Sequence, residues 1–354
     1  MPREPDDDIA PDAFPGALHP REQFAFFGHG EGEEAFIDGL RSSRLHHAWL
    51  IGGPQGIGKA TLAYRVARAA LDLQDREATT LRSLDIAENS RAARQVRALS
   101  HPNLSVLRRT SGTDRKGPSA TIPVDAVRRA LAMFGSTSAD GGYRICIVDS
   151  ADDLTTSSAN ALLKVIEEPP PRSLFLIVSH APQRLLPTIR SRCRKLLLKP
   201  LADGEVRAAV ASLGSPWAEA PADLLERATA LGEGSVRRVL EMLDADKVTH
   251  VETVTGVLDA LPRKDARQLL LLAETLSKRD ADDTYELTLE TIQRWASHRV
   301  REGAHLGASR LAPLVEVCEK IARSAREIKV FNLDRRPFIL QLFDELAEAV
   351  RRTA

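Results

Sequence analysis

Residues 48–63 read AWLIGGPQGIGKATLA, and the fold turns on how that stretch is parsed. AWLIG (48–52) is a short apolar run of the kind a buried strand requires, and KATLAYRVARAALDL (59–73) carries the spacing of an amphipathic helix. Between them Gly53, Gly56, Gly58 and Lys59 supply a G-x-x-x-x-G-K loop. Strand, glycine loop, lysine and helix in this order form a phosphate-binding loop. Its backbone N–H groups and the helix N-terminus converge on an anion, while the lysine adds a point charge.

One part of that loop is missing. The position after the lysine, where a Ser or Thr hydroxyl would meet magnesium, is Ala60. Thr61 does not simply replace it, because one step along a helix turns a side chain by about 100°. A second departure lies in RICIVDSADDLT (144–155). Asp149 ends the apolar run and is placed to help hold magnesium, but Ser150 stands where hydrolytic relatives of such a loop carry a water-polarising Glu. Two independent losses point to slow or absent hydrolysis at this site. They leave open whether ATP or ADP is held or whether the loop is kept for the fold. Asp152 and Asp153 read as turn and capping residues.

Outward from the loop, LSVL (104–107), RICIVD (144–149), LFLIVS (174–179) and KLLL (195–198) repeat the pattern of AWLIG, with helical segments between them. Nearly continuous apolar runs are expected of strands buried on both faces of a parallel sheet, so the first 200 residues read as a doubly wound α/β domain. After Pro200 the strand signals stop. GSPWAEAPAD (214–223) and GEG (232–234) separate three short helices, and from LPR (261–263) a longer all-helical block begins. Its segments LLLLAETL (269–276), LTLETIQRWA (287–296), LVEVCEKIARSAREIKVF (314–331) and FILQLFDELAEAV (338–350) carry apolar faces broader than a single small bundle is expected to bury. The chain thus divides into an N-terminal segment (1–20) expected to be mobile, an α/β domain (21–200), a small helical region (201–248) and a helical C-terminal domain (249–354).

The 354 residues are 43% hydrophobic and 28% charged, with 49 basic and 49 acidic side chains. A chain of zero net charge has no overall field to hold it on nucleic acid or an anionic membrane. Cys146, Cys193 and Cys318 lie far apart without a C-x-x-C pair, which argues against a disulfide framework or a zinc cluster and fits a reducing cytoplasm. No apolar run approaches the ~20 residues of a membrane span, and the acidic, proline-rich start is unlike a signal peptide. A lone His101 before Pro102 reads as a turn residue, and His46 and His47 as residues entering the first strand.

The run TTSSANALLKVIEEPPPRSLFLIVSHAPQRLLPTIRSRCRKLLLKPL (155–201), with its N-A-L-L-K-x-x-E-E-P-P helix end and S-R-C motif, resembles the clamp-loader branch of the AAA+ ATPases, and within it the delta prime family of bacterial DNA polymerase III. RLHHAWLIGGPQGIGKATLAYRVAR (44–68), HPNLSVL (101–107), IPVDAVR (122–128) and GSVRRVLEML (234–243) extend the likeness over roughly residues 20–245. The resemblance implies an α/β ATPase-like domain, a helical lid and a helical collar that joins a ring of clamp-loader subunits acting on a sliding clamp and primed DNA. It assigns Arg192 of S-R-C as an arginine finger offered in trans to a neighbouring ATP site. It makes Ser179 a polar sensor of the γ-phosphate, a strand-end cap being the other reading, and Arg237 the lid arginine that senses nucleotide beside a solvated Arg238. Arg190 and Arg194 read as solvated or phosphate-steering charges. Many relatives insert a four-cysteine zinc module where residues 75–103 carry no cysteine, so zinc is not expected. The alternative is a self-sufficient AAA+ ATPase or helicase-type motor, and Ala60 and Ser150 argue against it. A free-standing DNA-binding protein is disfavoured by the balanced charge and the lack of a recognisable DNA-binding signature.

Overall fold

Five strands make one parallel sheet: β1 Ala48–Gly52, β2 Leu104–Leu107, β3 Arg144–Val148, β4 Ser173–Ser179 and β5 Arg194–Leu197, in the order β2-β3-β4-β1-β5. In this computed structural model residues 14–73, 78–109, 121–135, 142–278, 280–331 and 334–353 are described. β1, β3 and β4 are buried along their whole length, which is why their sequences run apolar without alternation. β5 departs from the expectation of burial on both faces. It pairs only with β1 among the described residues, and Arg194, Lys195 and Leu197 are exposed, Leu197 to 63%.

The helices of the α/β region are α1 Gly30–Arg41, α2 Lys59–Asp72, α3 Arg91–Arg97, α4 Val124–Leu131, α5 Thr156–Glu167 and α6 Pro187–Arg192. Small residues in α2 (Ala63, Ala67, Ala70) let it sink against the sheet, and one core joins Leu62 and Val66 to Trp49, Ile51 and Leu176. A second core on the other face joins Val127 and Leu162 to Leu50, Phe175 and Ile177. α5 starts at Thr155, whose hydroxyl accepts the Ser158 N–H, and stops at Glu167 just before the Pro169–Pro171 run. Three short helices follow, α7 Asp203–Ser212, α8 Ala222–Gly232 and α9 Val236–Glu241.

The N-terminal expectation needs correcting over the residues that are described. Residues 1–13 lie outside them, but 14–20 are packed. The Phe14 ring meets Trp217 edge-on at 5.5 Å, and His19 is buried against Tyr64. Apolar Phe14 and Ala17 have a surface to cover, which composition alone did not show.

The chain divides into two compact units, residues 1–241 and 242–354. The second contains α10 Ala245–Asp259, α11 Ala266–Leu276, α12 Asp282–Glu302, α13 Ala308–Phe331 and α14 Arg335–Thr353. Its core includes Leu258, Leu276, Ile292, Ile321, Phe343 and Leu346. The division falls earlier than the expected 248/249, because α10 is continuous across that point and buries Val254, Val257 and Leu258 in the C-terminal core. Leu270, Leu271 and Val315 of this unit remain exposed. Among the described residues no helix is long and apolar enough to cross a membrane, and no group of three or more His, Cys, Asp or Glu is placed to hold a metal ion.

Candidate functional site

The loop after β1 turns on three glycines with positive φ, Gly53 (145°), Gly56 (75°) and Gly58 (98°), conformations an L side chain rarely adopts. Gly56 is also required for space, since a Cβ there would lie 2.4 Å from the Arg237 Cβ and 2.5 Å from the Ser235 Oγ. Four successive carbonyls of the loop accept bonds from the same chain. Lys59 Nζ donates to Pro54 O at 2.5 Å, Ser235 Oγ to Gln55 O at 2.8 Å, the Val236 N–H to Gly56 O at 2.9 Å and His29 Nε2 to Ile57 O at 2.8 Å. A carbonyl only accepts, so Nε2 carries the His29 proton. The loop is therefore held in place by its own chain, and the buried Lys59 directs its ammonium to the loop backbone.

Five of the residues singled out in the sequence, Gly56, Gly58, Lys59, Thr61 and Arg237, line one cleft, together with Phe14 and Phe26. Thr61 lines it beside Ala60, at the start of α2. Arg237 ion-pairs with Glu241 at 3.1 Å and stands 5.9 Å from the Phe14 ring centre. Arg238, expected to be solvated, is buried, 3.9 Å from Glu233. The donor set fits a phosphate-bearing ligand in part: Lys59 and Arg237 are at hand, and the magnesium hydroxyl is missing at Ala60.

Gly53, Asp149 and Ser179 do not line that cleft. A Cβ on Gly53 would meet the Leu198 carbonyl at 2.6 Å, so this glycine serves the close approach of two chain segments. Asp149 is fully buried just after β3. The Ser179 hydroxyl, at the end of β4, donates to Asp152 at 3.0 Å. Asp152 also accepts from the Ser150 hydroxyl (3.0 Å) and from the backbone N–H groups of His180 (2.7 Å) and Ala181 (3.1 Å). Desolvation pushes the Asp152 carboxyl up, but these donors together outweigh it and hold the group below the ordinary aspartate value. Turn chemistry was expected of Asp152; its tie from the β3 end to the β4 end carries no local sequence signal.

Arg192, the last residue of α6, lies at the other end of the sheet. Arg194 pairs in register with Trp49 and Leu197 with Gly52, so the chain enters β5 beside the start of β1, whereas the phosphate-type loop leaves the end of β1. Three residue steps of strand, ~10 Å, separate those two levels. The Arg192 side chain is 40% exposed, ion-paired through Nη2 with Glu167 Oε1 at 2.7 Å and bonded through Nη1 to Thr188 O at 3.1 Å. Glu167 was not singled out in the sequence, although the E-E-P-P helix end contains it. Arg194 is not simply solvated, since its guanidinium stands 4.6 Å from the Trp49 ring centre. Cys193 between them is buried, its thiol pushed up to about 12, which leaves it unreactive.

The histidines follow their structural readings. His46 and His47 stack at 4.4 Å, with His46 Nδ1 2.8 Å from the Ala48 carbonyl; burial and then the His46 charge push His47 down. His101 Nδ1 accepts the Asn103 N–H at 3.1 Å in the turn before β2.

A family model described as DNA polymerase III, delta subunit, matches residues 28–202. The chain is similar to the DNA polymerase III subunit delta' of Pseudomonas aeruginosa, 33% identical over 53% of each chain. To the subunit delta' of Escherichia coli it is 31% identical over 67% of this chain and 66% of that one. The Escherichia coli subunit tau is 28% identical over 73% of this chain and 39% of its own. The chain thus spans between about two fifths and just under two thirds of the length of these relatives. With the family model lying over the sheet, its loop and Arg192, and delta' subunits among the relatives, the chain belongs to the DNA polymerase III delta' family.

Proposed function

We propose that this chain is the delta'-type subunit of a clamp loader, a cytoplasmic ring of unlike subunits that uses ATP to place a sliding clamp on primed DNA. In that ring it completes a neighbour's ATP site with Arg192 and does not drive the reaction from its own loop. The observation that carries the reading is the position of Arg192 at the end of the sheet opposite its own phosphate-type loop. A guanidinium there cannot serve the chain's own cleft, so any nucleotide it meets belongs to another subunit. Its planar donors suit charge that grows on a transferring phosphoryl group.

The own loop supports the same division of labour. Lys59 is taken up by Pro54, Ala60 supplies no hydroxyl, and Ser150 bonds to Asp152. In this reading the region 201–248 is the lid and 249–354 the collar, whose exposed Leu270, Leu271 and Val315 would be covered by other subunits. The test is ATP turnover by the complex that co-purifies with the chain, with clamp and primed DNA present. Arg192→Ala should assemble and lose roughly 10³-fold in turnover, the lower range known for arginine fingers, while the chain alone turns over no ATP. Parental turnover in a fully assembled Arg192→Ala complex would refute the assignment.

A further inference from the structure

We infer that Glu167 is a positioning residue for Arg192, holding its guanidinium in one orientation before a neighbouring site is met. This rests on the reading of Arg192 given above. The guanidinium is tied at two nitrogens to two different elements, Nη2 to the Glu167 carboxylate on α5 and Nη1 to the Thr188 carbonyl one turn back on its own helix. A fork held only through Nη1, by the Thr188 carbonyl and the Ser191 hydroxyl (3.4 Å) of α6, can still swing about that one nitrogen, and an anchor on a second helix removes the freedom. The anchor is itself well placed: Glu167 is the last helical residue of α5, stopped by the Pro169–Pro171 run, and α5 packs on the sheet through Leu162 and Ile166. Donors not used in these bonds remain for a further acceptor, and the side chain is 40% exposed.

The charge balance says which property of Glu167 matters. A carboxylate 2.7 Å from the guanidinium cancels positive charge at the rim, so it does not strengthen attraction to phosphate. What it adds is geometry, and small displacements of a group that acts on a transition state are costly in rate. A neutral oxygen in the same place should therefore serve, whereas a carboxylate drawn back should not.

The experiment measures kcat and KM for ATP in the assembled complex with clamp and DNA. Glu167→Ala and Glu167→Asp, the latter keeping the charge but withdrawing it by one methylene, should lower kcat roughly ten- to a hundredfold at unchanged KM. Glu167→Gln should stay within a few fold of the parent, and Glu167→Ala combined with Arg192→Ala should be no slower than Arg192→Ala alone. If Arg192→Ala is slow while Glu167→Ala matches or exceeds the parent, Glu167 parks the arginine and the inference is wrong. It is equally wrong if Glu167→Gln is as slow as Glu167→Ala, because charge would then be the property required. Full turnover by Arg192→Ala would instead overturn the underlying function.

Discussion

Lys59 and Arg192 belong to the same α/β unit, each next to a strand of one parallel sheet, and the chain treats them in opposite ways. Lys59 begins the helix after β1, is buried, and gives its ammonium to the carbonyl of Pro54 within its own loop. Arg192 ends the helix before β5, stands at the opposite end of the sheet, and is kept at the surface by Glu167 and Thr188. The first arrangement satisfies a charge internally. The second orients one without enclosing it. A phosphate-type loop thus says little about where a chain's chemistry lies until the partners of its lysine are known.

The sharpest way to break the contrast is Arg192→Lys. A lysine keeps the charge but not the planar fork, so turnover of the assembled complex should fall roughly 10³-fold, about 4 kcal/mol, to near the level of Arg192→Ala. Turnover close to the parent would mean that charge alone suffices at the rim.

A smaller effect is expected at Asp152, at the loop's end of the sheet. Asp152→Asn leaves two backbone N–H groups and two hydroxyls with a weaker acceptor, at a cost of about 1–2 kcal/mol at neutral pH because the group is exposed. The folded pKa is depressed, so the stabilisation is present above the unfolded aspartate value near ~3.9 and is lost as pH falls through the folded value. Denaturant titrations of parent and variant should differ at pH 7 and converge in acid. A difference that persists undiminished at low pH would show that the carboxylate charge is not its source.

The smallest effect sharpens the comparison from the other side. Lys59→Ala should change turnover of the assembled complex less than twofold while lowering the stability of the subunit, because the buried lysine donates to the Pro54 carbonyl of its own loop. A loss approaching that of Arg192→Ala would restore Lys59 to chemistry.

The strands were legible within a residue because burial on both faces forces unbroken apolar runs, as in SLFLIVS of β4. The glycines were legible because positive φ leaves few alternatives. What local pattern could not supply were partners distant in sequence: His29 on the Ile57 carbonyl, Ser235 on Gln55, Asp152 under Ser179, and Glu167 beside Arg192. Each is a polar contact of one or two atoms, and such contacts leave no periodicity. Burial of KLLL was overestimated because composition does not distinguish an edge strand from a central one, and β5 has only β1 beside it among the described residues. The early unit boundary has a similar cause, since nothing in ADKVTHVETVTGVLD says which core its valines enter.

The ring contact between Phe14 and Trp217 also has a consequence for how the chain is made. The two residues are 203 positions apart, and synthesis at about 5–20 residues per second delivers the second roughly 10–40 s after the first. Through that interval Phe14 waits without the ring that later meets it, while the strands β1 to β5 emerge one after another. The sheet can therefore assemble during translation, but the wall of the cleft that Phe14 provides closes only once the short helices after β5 have left the ribosome.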